Sequence, residues 1–330
     1  MSSSHPSEVH LIADIGGTNA RFALVGADGA PRDERVLPGA DYPDIVSAIE
    51  AYLAQVDATR PVDAAIAIAN PITGDWVKMT NHSWEFSIEE TRQRLGLQRL
   101  LLINDFTALA MAVPWLAPAE LHVVGGGSAV KNGPIGVLGP GTGLGVSGLI
   151  HAGDLWLPLQ GEGGHVSVSP GNPREAEILR VTWQRFEHVS AERLVSGMGL
   201  QNLHHAISVL DGREPESLTP AEISQRGQNG ADSVCAETLN TFCALLGSVA
   251  GNLALTLGAT GGVYIGGGIV SRLGNYFDTS PFRQRFEAKG RFAAYLAAIP
   301  TYVIHARNPA FTGIAKVFGP YRSMFENEGR

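Results

Sequence analysis

A carboxylate beside bare backbone marks the first candidate for chemistry: Asp14-Ile15-Gly16-Gly17-Thr18-Asn19 sets a Gly-Gly-Thr-Asn centre between two apolar runs, residues 11–15 and 20–25. Apolar run, turn and apolar run read as a strand hairpin, with paired glycines supplying the positive φ that a short turn needs. Glycines also let backbone N–H groups approach an anion, and Asp14 stands at the mouth of the turn. A phosphate does not sit against a bare carboxylate, so the pairing points to phosphate with a divalent cation between them. An ordinary glycine-turned hairpin fits this stretch alone equally well. Residues 136–150 repeat the plan, with Gly139-Pro140-Gly141-Thr142-Gly143-Leu144-Gly145 at the centre. Two hairpins of one plan imply two related half-structures whose turns face each other across a cleft. A third cluster, Gly266-Gly267-Gly268, follows a long helical pattern and lets backbone lie flat against a neighbour.

Asn104 and Asp105 follow the apolar run Leu100-Leu101-Leu102-Ile103, so a short buried strand delivers two polar groups at its carboxyl end. The strand's hydrophobic demand explains the leucines but not that pair. A carboxylate placed there in an α/β sheet suits the acceptance of a proton from an attacking hydroxyl. An Asp capping the helix that follows would read the same way. Glu162, His165 and Glu192 join Asn104 as candidate partners for hydroxyl groups, since a carboxylate accepts two vicinal hydroxyls and a histidine donates or accepts. Glu162-Gly163-Gly164-His165 could instead be a metal pair, although a glycine loop holds ligands loosely and no Cys/His cluster completes the set. Glu192 also suits a helix N-terminus, where the dipole favours a carboxylate.

The elements that must position these groups follow from periodicity. Val36-Leu37 extends the first hairpin as a third strand, and Ile45, Ile49, Tyr52, Leu53 and Val56 recur at helical spacing after Pro43, which suits a first turn. Residues 62–69 read as a buried strand, and Ser87 with Glu90 signals a helix start. Strands alternating with helices imply an α/β domain with a mixed sheet. The glycine loop at 160–166 is too glycine-rich for a helix. Helices are expected over 174–186, to about 210, from Thr219, and over 231–257 with a break near Gly247 or Gly251. A strand at 302–304 and a last helix from about Phe311 close the pattern.

Composition sets the limits. A chain of 330 residues can bury two cores. A net charge of −8, with no basic block to offset it, argues against nucleic acid. A polyanionic substrate must then be held by backbone dipoles and metal. Cys235 and Cys243 fit no metal spacing and read as core thiols of a reducing compartment. Residues 1–8 are polar and read as disordered, without the apolar region of a signal peptide, and the apolar stretch 239–257 reads as a core helix rather than a membrane span. Gly126-Gly127-Ser128-Ala129-Val130-Lys131 lacks the second glycine and the Ser/Thr of a Walker A loop. The cluster at 139–145 runs on into apolar strand, not into the helix of a dinucleotide fold.

The three glycine clusters, Asn104-Asp105-Phe106, Glu162-Gly-Gly-His165 and the Glu192 of His-Val-Ser-Ala-Glu-Arg together resemble the bacterial glucokinases of the actin/hexokinase/Hsp70 ATPase superfamily, over residues 11–311. The Cys-rich zinc motif of the related ROK sugar kinases is absent, which points to the zinc-free group. The resemblance implies an α/β, two-domain actin-like ATPase (ribonuclease H-like) fold with mixed sheets and a cleft between the domains. Residues 1–114 plus about 306–330 would form the small domain and about 115–305 the large one, the last helix packing back on the first domain. It implies ATP-dependent phosphorylation of D-glucose at the C6 hydroxyl, with Asp105 as general base. Asn104, Asp105, Glu162, His165 and Glu192 would contact glucose. Asp14, Gly16, Gly17, Thr18 and Asn19 would hold the ATP phosphates, with Asp14 acting on Mg²⁺ through water. Gly141, Thr142 and Gly143 would clamp the phosphates from the other side. Gly266, Gly267 and Gly268 would lie against adenosine, although a close helix-to-strand crossing would use the same glycines. Arg21 reads as a structural charge after the turn. Asn70 stands where relatives can carry Cys. A cytoplasmic homodimer, with no nucleic-acid or membrane partner, completes what the family implies.

Overall fold

The computed structural model describes residues 9–57, 60–80 and 82–325; the terminus expected to be disordered, residues 1–8, lies outside the described residues. Short apolar runs separated by glycine or proline form β1 (His10–Ile15), β2 (Asn19–Val25) and β3 (Pro31–Pro38). Helix α1 (Ile45–Val56) starts where the Asp44 carboxylate accepts the Ser47 N–H at 2.7 Å, so Pro43 precedes the cap instead of filling the first turn. Strand β4 (Asp63–Ile68) is buried along its whole length. A ribbon of β5 (Trp76–Lys78) and β6 (Glu85–Ser87) leads into α2 (Ile88–Leu95), which Ser87 caps through the Glu90 N–H. Strand β7 (Arg99–Asn104) then runs directly into α3 (Asp105–Ala112).

The chain continues through β8 (Leu121–Val124), β9 (Ile135–Pro140), β10 (Leu144–Ala152) and β11 (Leu155–Leu159). Helices α4 (Pro173–Trp183), α5 (Gly197–Leu210), α6 (Pro220–Gln228) and α7 (Ser233–Leu257) follow. After β12 (Val263–Ile265) come α8 (Gly268–Leu273), α9 (Asn275–Thr279), α10 (Phe282–Glu287) and α11 (Ala293–Ala297). Strand β13 (Thr301–Ile304), α12 (Pro309–Lys316) and α13 (Arg322–Phe325) end the described chain.

These elements form two compact units. The first holds the chain up to Leu116, Ala152–Gln160 and everything from Arg307; the second holds Ala117–His151 and Gly161–Ala306. The segment 152–160, with β11, therefore belongs to the first unit, a return that a single boundary near residue 115 does not anticipate. The first unit's sheet has the order β3-β2-β1-β4-β7, with the hairpin strands antiparallel and β1, β4 and β7 parallel. In the second unit the order β10-β9-β12-β13-β8 repeats that scheme: an antiparallel pair, then β9, β12 and β13 parallel. Each unit has its own core, one around Phe22, Tyr52, Ile66 and Trp84, the other around Leu203, Phe242, Ile265 and Phe282. Helix α12 lies across α3 so closely that a Cβ on Gly313 would overlap the Ala108 carbonyl.

Helix α7 is long and apolar enough to cross a membrane by length and composition, yet most of it is buried inside its unit. It runs unbroken through Gly247 and Gly251, against the expectation of a break. Both glycines are instead points of approach: a Cβ on Gly247 would overlap the Phe282 carbonyl, and one on Gly251 would lie 2.6 Å from the Phe286 carbonyl, both on α10. Cys235 and Cys243 are buried on α7, and burial pushes their thiols up to about 11 and about 12.

The α7–α10 contact separates propensity from packing. Gly247→Ala should raise helix propensity by about 1 kcal/mol but add a methyl where only backbone can yield, which costs about 1–3 kcal/mol. The variant should therefore melt below the parent, and a rise in melting temperature would show that the contact is looser than the structure has it.

Candidate functional site

In the first unit, register brings the predicted groups to one edge. Ile15 of β1 pairs with Ile68 of β4, and Ile68 with Asn104 of β7, so the turn after β1 and the Asn104-Asp105 pair leave the sheet at the same carboxyl end. Asn70 leaves there too, and its side chain bonds Lys78 and Thr80, closing its own loop. The turn after β1 is closed by the Gly16 N–H on the Asn19 carbonyl at 3.0 Å, and the Gly39 N–H holds the Thr18 carbonyl at 2.9 Å. Neither Gly16 nor Gly17 adopts a left-handed φ, so the turn does not need glycine for the reason the sequence suggested. What their lack of a side chain leaves is exposed backbone: among the described residues no partner takes the N–H of Gly17 or Thr18.

Asp14 pairs across the hairpin with Arg21, whose Nη1 lies 3.0 Å from Asp14 Oδ2. Burial raises the Asp14 carboxyl above its ordinary range, and the Arg21 charge and hydrogen bond pull it back in part. The sequence reading of Arg21 as a structural charge, with a phosphate contact as the alternative, does not name Asp14 as its partner. The two residues are equidistant from the centre of the turn, and that spacing was the available signal. No group of three or more His, Cys, Asp or Glu side chains among the described residues could hold a metal ion. One carboxylate at a phosphate turn still fits Mg²⁺, which keeps waters and takes most other ligands from phosphate.

Asn104 is the residue that caps α3. Its Oδ1 accepts the N–H groups of Phe106 and Thr107 at 2.9 and 3.1 Å, which orients its amide –NH₂ outward as a donor. Asp105 is the first residue of the helix and not its cap, with Oδ1 on the Phe106 N–H at 2.9 Å. The alternative reading of Asp105 as the capping residue therefore passes to its neighbour.

In the second unit the remaining residues converge. The Gly141 N–H bonds the Gly143 carbonyl at 2.8 Å, and the Gly197 N–H at the start of α5 bonds the Gly141 carbonyl at 2.9 Å. The N–H groups of Thr142 and Gly143 have no partner among the described residues. Glu192 Oε2 accepts the Leu144 N–H at 2.9 Å, while the Glu192 N–H bonds the Gly164 carbonyl at 2.9 Å. Glu192 thus lies between the turn and the Glu162–His165 loop. That loop contains a short 3₁₀ turn, Gly163–His165, where no helical structure was expected. His165 and Glu162 are exposed, with Nε2 and Oε2 3.9 Å apart. His165 and Glu192 line a cavity of about 370 Å³ with Arg185, His188, Ser190 and Arg193.

Gly266, Gly267 and Gly268 divide by role. The Gly266 N–H bonds the Leu138 carbonyl at 2.8 Å. Gly267 has φ +84° and sits where a Cβ would overlap the Pro140 carbonyl, so it is glycine for conformation and space together. That is the helix-to-strand crossing weighed above. Gly268 opens α8, and Ile269, Arg272 and Leu273 of that helix line a cavity of about 490 Å³. Leu200 of α5 and Ser224 and Gln225 of α6 form its other walls. Sequence reasoning missed these walls, because three helices distant in sequence meet there.

The Asp14–Arg21 pair yields a pH test with a definite sign. A raised carboxyl favours the folded state at low pH, and that contribution is lost as pH rises through the folded value. Arg21→Met removes the group that offsets the rise, and losing a hydrogen bond to a charged group should cost about 1–3 kcal/mol at neutral pH. Denaturant unfolding across pH should show the deficit shrinking as Asp14 protonates. A deficit that does not vary with pH would mean that Arg21 acts through packing alone.

With this geometry in view, the comparisons are consistent with one another. The family model described as Glucokinase matches residues 11–319. A glucokinase of Chromobacterium violaceum is 58% identical over 306 residues, covering 92% of this chain and 88% of that protein. The crystal structure of a glucokinase from an Antarctic psychrotroph has a TM-score of 0.83 at 38% identity, covering 93% of this chain and 98% of its own. A ROK family glucokinase from Streptomyces griseus, solved with glucose and AMPPNP, shares the fold alone, with a TM-score of 0.63 at 19% identity over 94% of this chain and 98% of its own. Its sheets repeat one scheme in two units, its glycine turns expose backbone donors, and over nearly its whole length this chain belongs to the glucokinase family.

Proposed function

We propose that this chain transfers the γ-phosphoryl group of ATP to the C6 hydroxyl of D-glucose, giving glucose 6-phosphate and ADP. Membership of the family carries the reading, and the observation that supports its chemistry is the Asn104-Asp105 pair at the carboxyl edge of the first unit's parallel strands. In this reading the glucose O6 attacks phosphorus, the bond from phosphorus to the β–γ bridging oxygen breaks, and Asp105 takes the hydroxyl proton. The bond from Asp105 Oδ1 to the Phe106 N–H holds that carboxylate in one orientation. Asn104, with its oxygen engaged in the cap, offers its amide to a sugar oxygen. Glu162, His165 and Glu192 accept or donate to sugar hydroxyls, and a bound sugar lacking the matching group would leave these partners unsatisfied.

The exposed N–H groups at Gly17, Thr18, Thr142 and Gly143 suit phosphate oxygens, as a chain of net charge −8 requires. Gly16 and Asn19 close the first turn, and Gly141 closes the second. Mg²⁺, when bound, neutralises charge on the transferring phosphoryl group, and Asp14 is the side chain that would hold it through water. Adenosine would take the cavity lined by α8, which Gly268 opens, while Gly266 and Gly267 bring the start of that helix against the end of β9. The family resemblance supports a cytoplasmic homodimer that feeds glycolysis.

A coupled assay across a panel of hexoses with ATP and Mg²⁺ tests the substrate, and turnover of another hexose well above glucose would overturn it. Asp105→Asn keeps size and shape but cannot accept the proton, so kcat should fall about 10²–10⁴-fold while calorimetry still detects glucose binding. Retention of more than about a third of the parent kcat would remove Asp105 from the role of base.

A further inference from the structure

Glu192 is assigned above to the sugar, yet one of its oxygens is already committed elsewhere. Oε2 accepts the Leu144 N–H at 2.9 Å, on the residue that follows the Gly141-Thr142-Gly143 turn. Oε1 makes no hydrogen bond among the described residues. The turn approaches this carboxylate closely enough that a Cβ on Gly143 would overlap Oε2, with no other atom of the structure within 3 Å of it. Gly143 has an ordinary φ, so the space taken by Glu192 is what demands glycine there. Gly141, two residues away in the same turn, faces open space. On its other side, Glu192 is tied by its N–H to the Gly164 carbonyl of the Glu162–His165 loop and by its carbonyl to Ser196 Oγ at 2.8 Å.

We propose that Glu192 is a positioning residue for the phosphate turn as well as a sugar partner, so that sugar and nucleotide bind with positive coupling through this one carboxylate. The inference rests on the reading of Glu192 as a glucose contact and of residues 141–143 as a phosphate clamp. Its physical basis is that one oxygen serves each ligand. A sugar hydroxyl donating to Oε1 restricts the side chain to the rotamer in which Oε2 already holds Leu144. The turn is then ordered before the phosphates arrive, and the second ligand meets a smaller entropic cost. By linkage the effect is reciprocal, so nucleotide tightens glucose by the same factor.

The test uses calorimetric titration of ADP and of glucose, each alone and in the presence of the other, on the parent and four variants whose folding is checked by thermal unfolding. In the parent, saturating glucose should tighten ADP about 5–150-fold. Gly143→Ala must displace the flexible carboxylate and not the backbone, so it should fold, weaken glucose about fivefold or more and bring the coupling near one. Gly141→Ala, in open space, should leave glucose binding alone. Glu192→Ala should weaken ADP in the absence of glucose, because the Leu144 N–H loses its acceptor and the turn its anchor. Glu192→Gln keeps an acceptor for Leu144 and should restore ADP binding while glucose binding stays weak. If Glu192→Ala loses glucose but binds ADP as the parent does, or Gly143→Ala binds glucose normally, the positioning role is overturned and the sugar contact stands. If Glu192→Ala binds glucose as the parent does, the sugar contact itself is wrong and the coupling falls with it.

Discussion

With a net charge of −8 and no basic block, this chain has no general positive field for phosphate, so the positive ends of its backbone dipoles carry the most weight. That constraint organises both units. Each presents a turn with two N–H groups that find no partner among the described residues, and each obtains it from an antiparallel pair set beside two further parallel strands. The turn must be held from outside, because its own donors are reserved. In the first unit the Gly39 N–H anchors the Thr18 carbonyl, and in the second the Gly197 N–H anchors the Gly141 carbonyl. The Thr18 and Gly141 carbonyls are engaged by the protein, while the N–H groups of Gly17, Thr18, Thr142 and Gly143 have no partner among the described residues.

Glycine therefore does three separate jobs here, and building a Cβ at each position separates them. Gly141 has room for a side chain, so nothing in the fold requires glycine, and its bareness serves whatever approaches the turn. Gly143, Gly247 and Gly313 are crowded by a carboxylate or by backbone carbonyls, so they set distances between elements. Gly267 alone among the site glycines combines a left-handed φ with crowding. A glycine-rich sequence does not reveal which job is meant. Periodicity is a local signal, whereas the atom that crowds a glycine comes from elsewhere in the chain.

That difference explains what could be read in advance. The strand 100–103 with Asn104-Asp105 at its tip was legible because hydrophobic run and polar exception lie side by side. The two hairpins were legible because each is one contiguous motif. The return of α12 onto α3 came from family resemblance, not from pattern. Illegible were the unbroken course of α7, where packing against α10 overrides the breaking tendency of glycine, and the cavity assembled from α5, α6 and α8. The choice between Asn104 and Asp105 as the cap of α3 was likewise not legible. Both can cap a helix, and only the backbone dihedrals show that Asn104 does so.

The candidate site shares one device among its polar side chains. Asn104 is held by its oxygen in a helix cap, Asp14 by Oδ2 on Arg21, Asp105 by Oδ1 on a backbone amide, and Glu192 by Oε2 on the second turn. In every case one polar atom is committed to the fold, which narrows rotamer freedom before any ligand arrives, and at Glu192 a sugar on Oε1 would complete the restriction. Loss of that freedom on binding would otherwise cost about 0.5–1.5 kcal/mol for each rotamer-rich side chain. Orientation of a nucleophile against its base and its phosphoryl donor is also most of what a phosphoryl-transfer site supplies. For these four groups, a bond to the backbone or to a neighbouring charge is then part of how the candidate site is held. It follows that the backbone N–H groups of Phe106, Thr107 and Leu144 and the Arg21 guanidinium, which donate those bonds, are under as much constraint as the groups they hold.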